Sequence, residues 1–453
     1  MRNRRTAAMM TAGALVLGMV APAGRVDAAE DRFTLSGNVR VRQEFLTGQY
    51  RPGFDADDQM LAMRSDVLAQ WKHDGWTLAA VLSDSRAYET GTGSYLTANE
   101  VNALEPVQLS VQRDFAAPFG AGSSASVLLG RFMLNIGSRR LVASDEFRNT
   151  PQGSTGVYTD LHFSNHTQWS LFYVLPQQRR PDDFASLLDN EVQLDHSGSD
   201  QQMWGTLLSR PGLLPGGTLG EVLYVGFREK DHDGRATRDR DLHSFSLRAL
   251  HAPATRRADF EIEGIYQTGN VSSGTSATAS RVDVDAYMLH ASAGYTFDAA
   301  WKPRLSLQFD YATGDGTSAQ YQRFDTLFGM RSADFAPSGI YGMLARTNVQ
   351  LTGLRLEAKP SARLDFYATG FWLWAADRHD TFSTSGIGDR SGNSGSYAGF
   401  QVDGRARYWI VPQKLRAQLN MTWVQRGELL RDAPNASPHG NPLYGALALT
   451  WSF

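Results

Sequence analysis

The last eleven residues constrain the fold more than any other part of the chain. Leu443, Gly445, Leu447, Leu449, Trp451 and Phe453 recur at period two, and Tyr444, Ala446, Ala448, Thr450 and Ser452 fill the positions between them. A strand alternates its side chains between two faces, so this segment presents one apolar face and one small or polar face. Such a strand suits a wall with an apolar medium outside and water inside. An edge strand of a soluble sandwich would show the same alternation once, but here the rest of the chain repeats it.

From Phe33 to Glu44 the outward set is Phe33, Leu35, Gly37, Val39 and Val41, and the inward set is Thr34, Ser36, Asn38, Arg40, Arg42 and Glu44. From Tyr397 to Ile410 the outward set is Ala398, Phe400, Val402, Gly404, Ala406, Tyr408 and Ile410, with Gln401, Asp403, Arg405 and Arg407 inward. A charge facing lipid at mid-depth costs roughly 2–4 kcal/mol, which keeps the charges on one side. Tight connections such as His73-Asp74-Gly75, Lys359-Pro360-Ser361 and Val411-Pro412-Gln413 alternate with long segments rich in Gly, Ser, Asp and Pro, among them 177–199, 314–342 and 377–396. The pattern predicts an all-β fold, a transmembrane antiparallel up-and-down β-barrel of about 18 strands. The strands fall near 33–46, 60–73, 76–89, 104–115, 125–137, 154–164, 167–175, 201–210, 218–229, 241–251, 257–269, 283–298, 302–313, 344–359, 362–376, 397–411, 414–427 and 442–453. Trp71, Trp76, Trp169, Trp301, Trp409, Trp423 and Trp451 lie near strand ends and suit interfacial girdles.

The start of the chain carries an address. Arg2, Arg4 and Arg5 precede an apolar stretch, and Val26-Asp27-Ala28 offers small residues to a signal peptidase. Residues 1–28 therefore read as a secretory signal peptide, and 29–453 as a single barrel domain. The chain has no cysteine, hence no disulfide framework and no thiolate metal site. A net charge of −3 excludes a strongly basic nucleic-acid binder. The expected place is the bacterial outer membrane, with membrane lipid as the outer partner.

A barrel of this size leaves a water-filled lumen unless something plugs it. Period-two reading places Arg40, Arg42, Arg64, Lys72, Arg86, Arg131, Arg248, Arg355, Arg405, Arg407 and Arg416 inside, with Glu44, Asp66, Asp84, Asp259, Glu261, Glu263, Asp310, Glu357, Asp365 and Asp403. Such charges either pair into ladders that stiffen the wall or form a constriction that selects solutes. Arginine, which grips carboxylates in a bidentate way, dominates the cations.

The run Gly130-Arg131-Phe132-Met133-Leu134-Asn135-Ile136-Gly137-Ser138-Arg139-Arg140-Leu141-Val142, followed by Phe147-Arg148-Asn149-Thr150-Pro151, resembles a signature of the alginate export family. Tyr311-Ala312-Thr313-Gly314-Asp315 with Phe324-Asp325-Thr326-Leu327-Phe328-Gly329 is a second match, and Arg64 with Asp84-Ser85-Arg86 a third. The terminal strand also resembles the signal read by the outer-membrane barrel assembly machinery, which that resemblance implies as a partner. The family resemblance implies an eighteen-stranded, monomeric exporter of an anionic polysaccharide. It makes Arg131, Arg140 and Arg148 pore or loop contacts, beside Arg40, Arg42, Arg64, Arg86, Arg405 and Arg407 from the face assignment. The chain departs from the family at Gln152-Gly153-Ser154-Thr155-Gly156, where an arginine and an aspartate are missing. A general or uptake porin for small anions or oligosaccharides is the alternative. The segment 314–342 is expected to fold into or over the mouth.

Catalysis finds little support. Asn165-His166 sits in a tight turn with no serine nucleophile placed against it. Asp231-His232-Asp233-Gly234 is a fragment of a calcium loop without its closing glutamate. No cofactor site, and no metal-ligand spacing among the ten histidines, stands out.

Overall fold

A computed structural model of the chain describes residues 31–453 except positions 233, 333 and 338. The segment read as a signal peptide lies outside the described residues. Eighteen strands follow in order: β1 (Arg32–Thr47), β2 (Asp57–His73), β3 (Trp76–Tyr88), β4 (Asn102–Ala116), β5 (Ser124–Phe132), β6 (Ser154–His162), β7 (Gln168–Pro176), β8 (Gln201–Leu214) and β9 (Thr218–Glu229). Then come β10 (Asp241–His251), β11 (Ala258–Ser272), β12 (Arg281–Thr296), β13 (Arg304–Ala312), β14 (Val349–Ala358), β15 (Leu364–Trp374), β16 (Tyr397–Val411), β17 (Leu415–Arg426) and β18 (Leu443–Ser452). Each pairs antiparallel with its sequence neighbours, and β18 returns to β1, with Val39 opposite Trp451 and Val41 opposite Leu449. Among the described residues no edge of this sheet is left open. No described helix is long and apolar enough to cross a membrane; the strands do the crossing.

The faces follow the alternation. Phe33, Leu35, Leu109, Leu247, Leu307, Leu447 and Trp451 point outward and are more than half exposed. Arg40, Arg42, Glu44, Gln401 and Asp403 point inward and are buried. Trp409 is an exception among the expected girdle residues. It stands opposite Arg416 on the lumenal face, with the guanidinium 5.6 Å from its ring.

Two expected strands are too long. The fifth ends at Phe132 rather than 137, and the fourteenth begins at Val349 rather than 344. In both places the chain leaves the wall and turns into the lumen. Loop 133–153 buries Leu134, Ile136, Leu141 and Val142; loop 313–348 buries Phe324, Phe335, Ile340, Tyr341, Met343 and Leu344. The lumen is too wide for wall side chains to fill, so these loops supply an apolar core of their own, each large side chain contributing about 1.5–3 kcal/mol. The loops are zipped together by Ala143 N–H to the Phe328 carbonyl (3.1 Å), Phe328 N–H to that of Leu141 (3.0 Å) and Met330 N–H to that of Arg139 (2.9 Å). Loop 313–348 crosses the lumen from β13, where Gln308 donates to the Asp334 carbonyl (3.1 Å), to β1, where Glu44 accepts from Ile340 N–H (3.0 Å). The expected inward fold of segment 314–342 is observed.

Closure depends on one close approach. Gly37 and Phe453 exchange backbone hydrogen bonds of 3.0 and 3.1 Å. A β-carbon at Gly37 would lie 2.3 Å from the Asp66 carbonyl oxygen and 2.7 Å from the Phe453 ring. Gly37→Val is expected to strain the seam by about 1–3 kcal/mol. Heat-modifiable migration in detergent should show a smaller folded fraction than wild type, while Val39→Ala, one residue pair along on the outer face, should not.

Candidate functional site

The lumenal face divides into two sectors of opposite character. From β9 to β13 its charges are consumed in pairs. Arg248 bridges Glu221 (2.5 Å) and Glu261 (2.9 Å), and Arg304 bridges Asp259 (2.5 Å) and Glu357 of β14 (2.7 Å). His290 and Asp310 pair at 2.8 Å. The acidic run Asp259, Glu261 and Glu263 is inward as expected, but it is neutralised, and Arg304 was not among the expected lumenal arginines.

From β14 through the seam to β2 the balance reverses. A cavity of about 340 Å³ is lined by Arg40 and Arg42 of β1, Arg355 of β14, Arg405 and Arg407 of β16, Arg416 of β17 and Arg139 of loop 133–153. Among the described residues Glu146 is the one carboxylate in that lining; Tyr367, Gln418, Asn420 and Thr450 add neutral polar groups. Strand geometry explains the convergence: Arg405 and Arg407 are two apart on one face, and neighbouring strands bring further arginines beside them. Arg407 and Arg405 share Asp365 at 2.9 and 3.5 Å. Arg355 and Arg405 also lie 3.8 and 4.8 Å from the Tyr367 ring. Arg416 has no carboxylate partner among the described residues, and the Nε atoms of Arg40, Arg405 and Arg416 are buried without an acceptor. Arg405 and Arg416 line the cavity, where their terminal N–H groups can meet an anion.

Some of the lumenal arginines also hold the constriction in place. Arg40 donates to the carbonyls of Glu146 (2.9 Å) and Arg148 (2.8 Å), and Arg42 to that of Phe147 (2.5 Å) and to Glu44 (2.7 Å). Arg64 sits 3.1 Å from Asp66. Arg148 contributes its carbonyl, and its guanidinium lies 3.9 Å from Asp145.

Arg140 reaches the lumen on loop 133–153, but as a latch. It binds Glu261 (2.6 Å), Glu263 (2.6 Å) and Asp334 (2.8 Å) and is almost fully buried. Arg346 binds the same Asp334. Burial raises the Asp334 carboxyl, but Arg140, Arg346 and His290 outweigh it and hold the group well below the ordinary carboxylate range.

Two expected pore residues are elsewhere. Arg86 stands opposite outward-facing Met63, and it pairs at 3.0 Å with Asp84, which is also on the outer face. The inward residues of β3 there are Ser83 and Ser85. Mutual neutralisation near the end of the strand makes this outward pair tolerable. Arg131 stands opposite exposed Leu109, and its guanidinium returns into the wall to buried Glu105 at 2.5 Å. An irregularity in the pairing of β3 and β4 between Val81 and Ser83 places Glu105 there. Glu105 also accepts from Gln177 (3.2 Å) and from Asp195 N–H (2.9 Å), a junction that sequence reading missed.

Comparison with known proteins matches this architecture. No curated protein matches the chain. Among solved structures, Pseudomonas aeruginosa OccK2 (OpdF) aligns with a TM-score of 0.58 at 11% identity, covering 92% of this chain and 97% of that one. Pseudomonas aeruginosa OccK8 (OprE) aligns with a TM-score of 0.58 at 10% identity, covering 93% and 98%. A structure of OccK2 in complex with glucuronate aligns at 0.56 with 11% identity, covering 92% and 98%. At these identities the likeness speaks for the fold. The family model described as alginate export matches residues 31–442, nearly the whole described barrel. With its closed eighteen-strand wall, inward loops and arginine-lined lumen, the chain belongs to the alginate export family of bacterial outer-membrane barrel channels.

Proposed function

We propose that the barrel is a passive conduit for carboxylate-bearing sugars, as polymer or short oligomer, moving along the arginine sector between β14 and β2. The observation that carries this reading is the cavity lining, in which arginines from four strands and one loop meet a single carboxylate. Guanidinium groups exchange carboxylates readily when each contact is partly satisfied already. Asp365 shared between Arg405 and Arg407, and Tyr367 beneath Arg355 and Arg405, supply that partial satisfaction. Arg40, Arg42 and Arg64 shape the path by anchoring loop 133–153. A passive channel takes its direction from the solute gradient, and we infer that one barrel suffices as the conducting unit.

Uptake of small acidic sugars is the second reading. The OccK2 complex with glucuronate favours it, since a protein of the same fold holds a monomeric uronate. Single-channel recording of the refolded barrel in a planar bilayer tests both. Anion-selective current blocked by polyuronate supports the proposal. Current blocked by glucuronate but not by polyuronate selects uptake, and open current with weak selectivity and no block by either overturns both readings.

A further inference from the structure

A second cavity, of about 380 Å³, opens at the long-loop end of the barrel and shares no residue with the first. Its floor consists of Leu242, Gln267, Val271 and Val284, lumenal side chains at the loop ends of β10, β11 and β12. Long loops face the cell exterior in such barrels, so this cavity is met from outside. Its volume lies within the roughly 300–1,000 Å³ usual for small-molecule sites.

Arg235, Arg238, Arg240 and Arg323 converge on this cavity, and they are not equivalent. Arg240 is spent on Glu229 (2.6 Å) and Asp325 (2.6 Å), and Arg323 on Asp380 (2.5 Å). Arg238 and Arg235 have no carboxylate partner among the described residues. Arg238 donates through Nε to the Ser272 carbonyl (2.9 Å), and its guanidinium lies 4.4 Å from the centre of the Tyr321 ring. Tyr321 is itself fixed by backbone hydrogen bonds to Asp283 (2.8 Å) and Asp285 (3.0 Å) of β12. A guanidinium held through Nε and against an aromatic face keeps its terminal N–H groups oriented, which is the preorganisation that bidentate carboxylate binding needs. Arg235 gives one N–H to Gln178 (3.1 Å) and adds a second positive charge at the rim.

We infer that this vestibule is a separate outer binding site for the carboxylate of a hexuronate, free or at the end of a chain, with Arg238 as the anion ligand and Tyr321 as the positioning residue. The inference rests on the proposed passage of acidic sugars. A single inorganic anion would leave most of the cavity empty, while the hydroxyls of Thr275 and Tyr321 suit a polyhydroxylated ligand. The binding is non-covalent.

Calorimetric titration of the intact refolded barrel with sodium glucuronate, with glucose as the neutral control, tests the assignment. Wild type should show two classes of glucuronate site and none for glucose. Arg238→Gln should weaken one class at least tenfold and leave the other. Tyr321→Leu, which keeps the charge, should weaken the same class by a smaller factor. The double variant Arg405→Gln/Arg407→Gln should remove only the other class. Heat-modifiable migration confirms that each variant is folded. Wild-type behaviour of both Arg238→Gln and Tyr321→Leu would overturn the vestibule site, as would loss of all binding in the lumenal double variant. A single class lost only with Arg238→Gln would sustain the vestibule and overturn the lumenal ladder. Absence of binding in wild type would overturn both. A second titration with a uronate trisaccharide tells the two sources apart: binding to the Arg238 class supports a chain end as ligand, and its absence there, beside glucuronate binding, supports the free sugar.

Discussion

Replacing Arg140 by alanine is expected to release the constriction and raise single-channel conductance several-fold. The guanidinium joins loop 133–153 to β11 through Glu261 and Glu263, and to loop 313–348 through Asp334. Removing it leaves Glu263 and Asp334 short of a cation in a largely buried site, with Arg346 still beside Asp334 and Arg248 beside Glu261. Breaking a buried pair by deleting one partner costs about 3–5 kcal/mol, as much as one or two of the large side chains buried by the loops contribute. The wall has its own ladder and should stay closed, so heat-modifiable migration should be retained while loops 133–153 and 313–348 lose hydrogen-exchange protection. Unchanged conductance with unchanged protection would show that the apolar core of the loops holds them without the latch. The sign of the pH dependence follows from Asp334. Its carboxyl is depressed in the folded state, so its contribution is present above the unfolded value near 3.9 and is lost as pH falls below it. Between pH 5 and 8 the latch contributed by Asp334 should not weaken.

Reversing two charges of the open sector should turn an anion-selective channel into a cation-selective one. A unit charge about 8 Å from the ion path contributes about 2 kcal/mol at an effective dielectric near 20, and screening at 0.1 M salt removes about half of that. Arg405→Glu together with Arg407→Glu changes the sign of two such contributions beside Asp365. With about 1.4 kcal/mol per factor of ten, the anion-to-cation permeability ratio should fall by at least about tenfold. Reversal potentials under a salt gradient measure this directly. Arg86→Glu is the control: that residue stands on the outer wall, so its selectivity should match wild type. Equal effects of the two changes would place the selecting field outside the arginine sector.

The wall was legible because its physics is local. Each strand declares its faces by alternation, and the short turns carry the residues that turns require, so all eighteen strands could be located. At β3 the period-two reading puts Asp84 and Arg86 on the wrong face. Leu78 and Leu82 set the true outward register, and it carries Asp84 and Arg86 with it. At β5, Leu134 and Ile136 continue the strand-like alternation after the chain has left the wall, which made the strand appear five residues too long. The sector division was not legible at all. Whether Glu261 answers Arg248, Arg140 or a passing solute depends on which loop lies opposite it, and that is decided by contacts more than a hundred residues apart in sequence.

The seam between β1 and β18 has a consequence for how this protein comes into being. Of the eighteen strands, the one that completes the wall is the last to be made, and its partner is the first. Until they meet, the sheet has two raw edges whose amides and carbonyls would face hydrocarbon unpaired. No truncated chain can therefore rest as a smaller pore: it lacks the strand that pairs with Val39 and Val41. Closure is expected to be all-or-none, because an open wall would leave both edges unpaired in hydrocarbon.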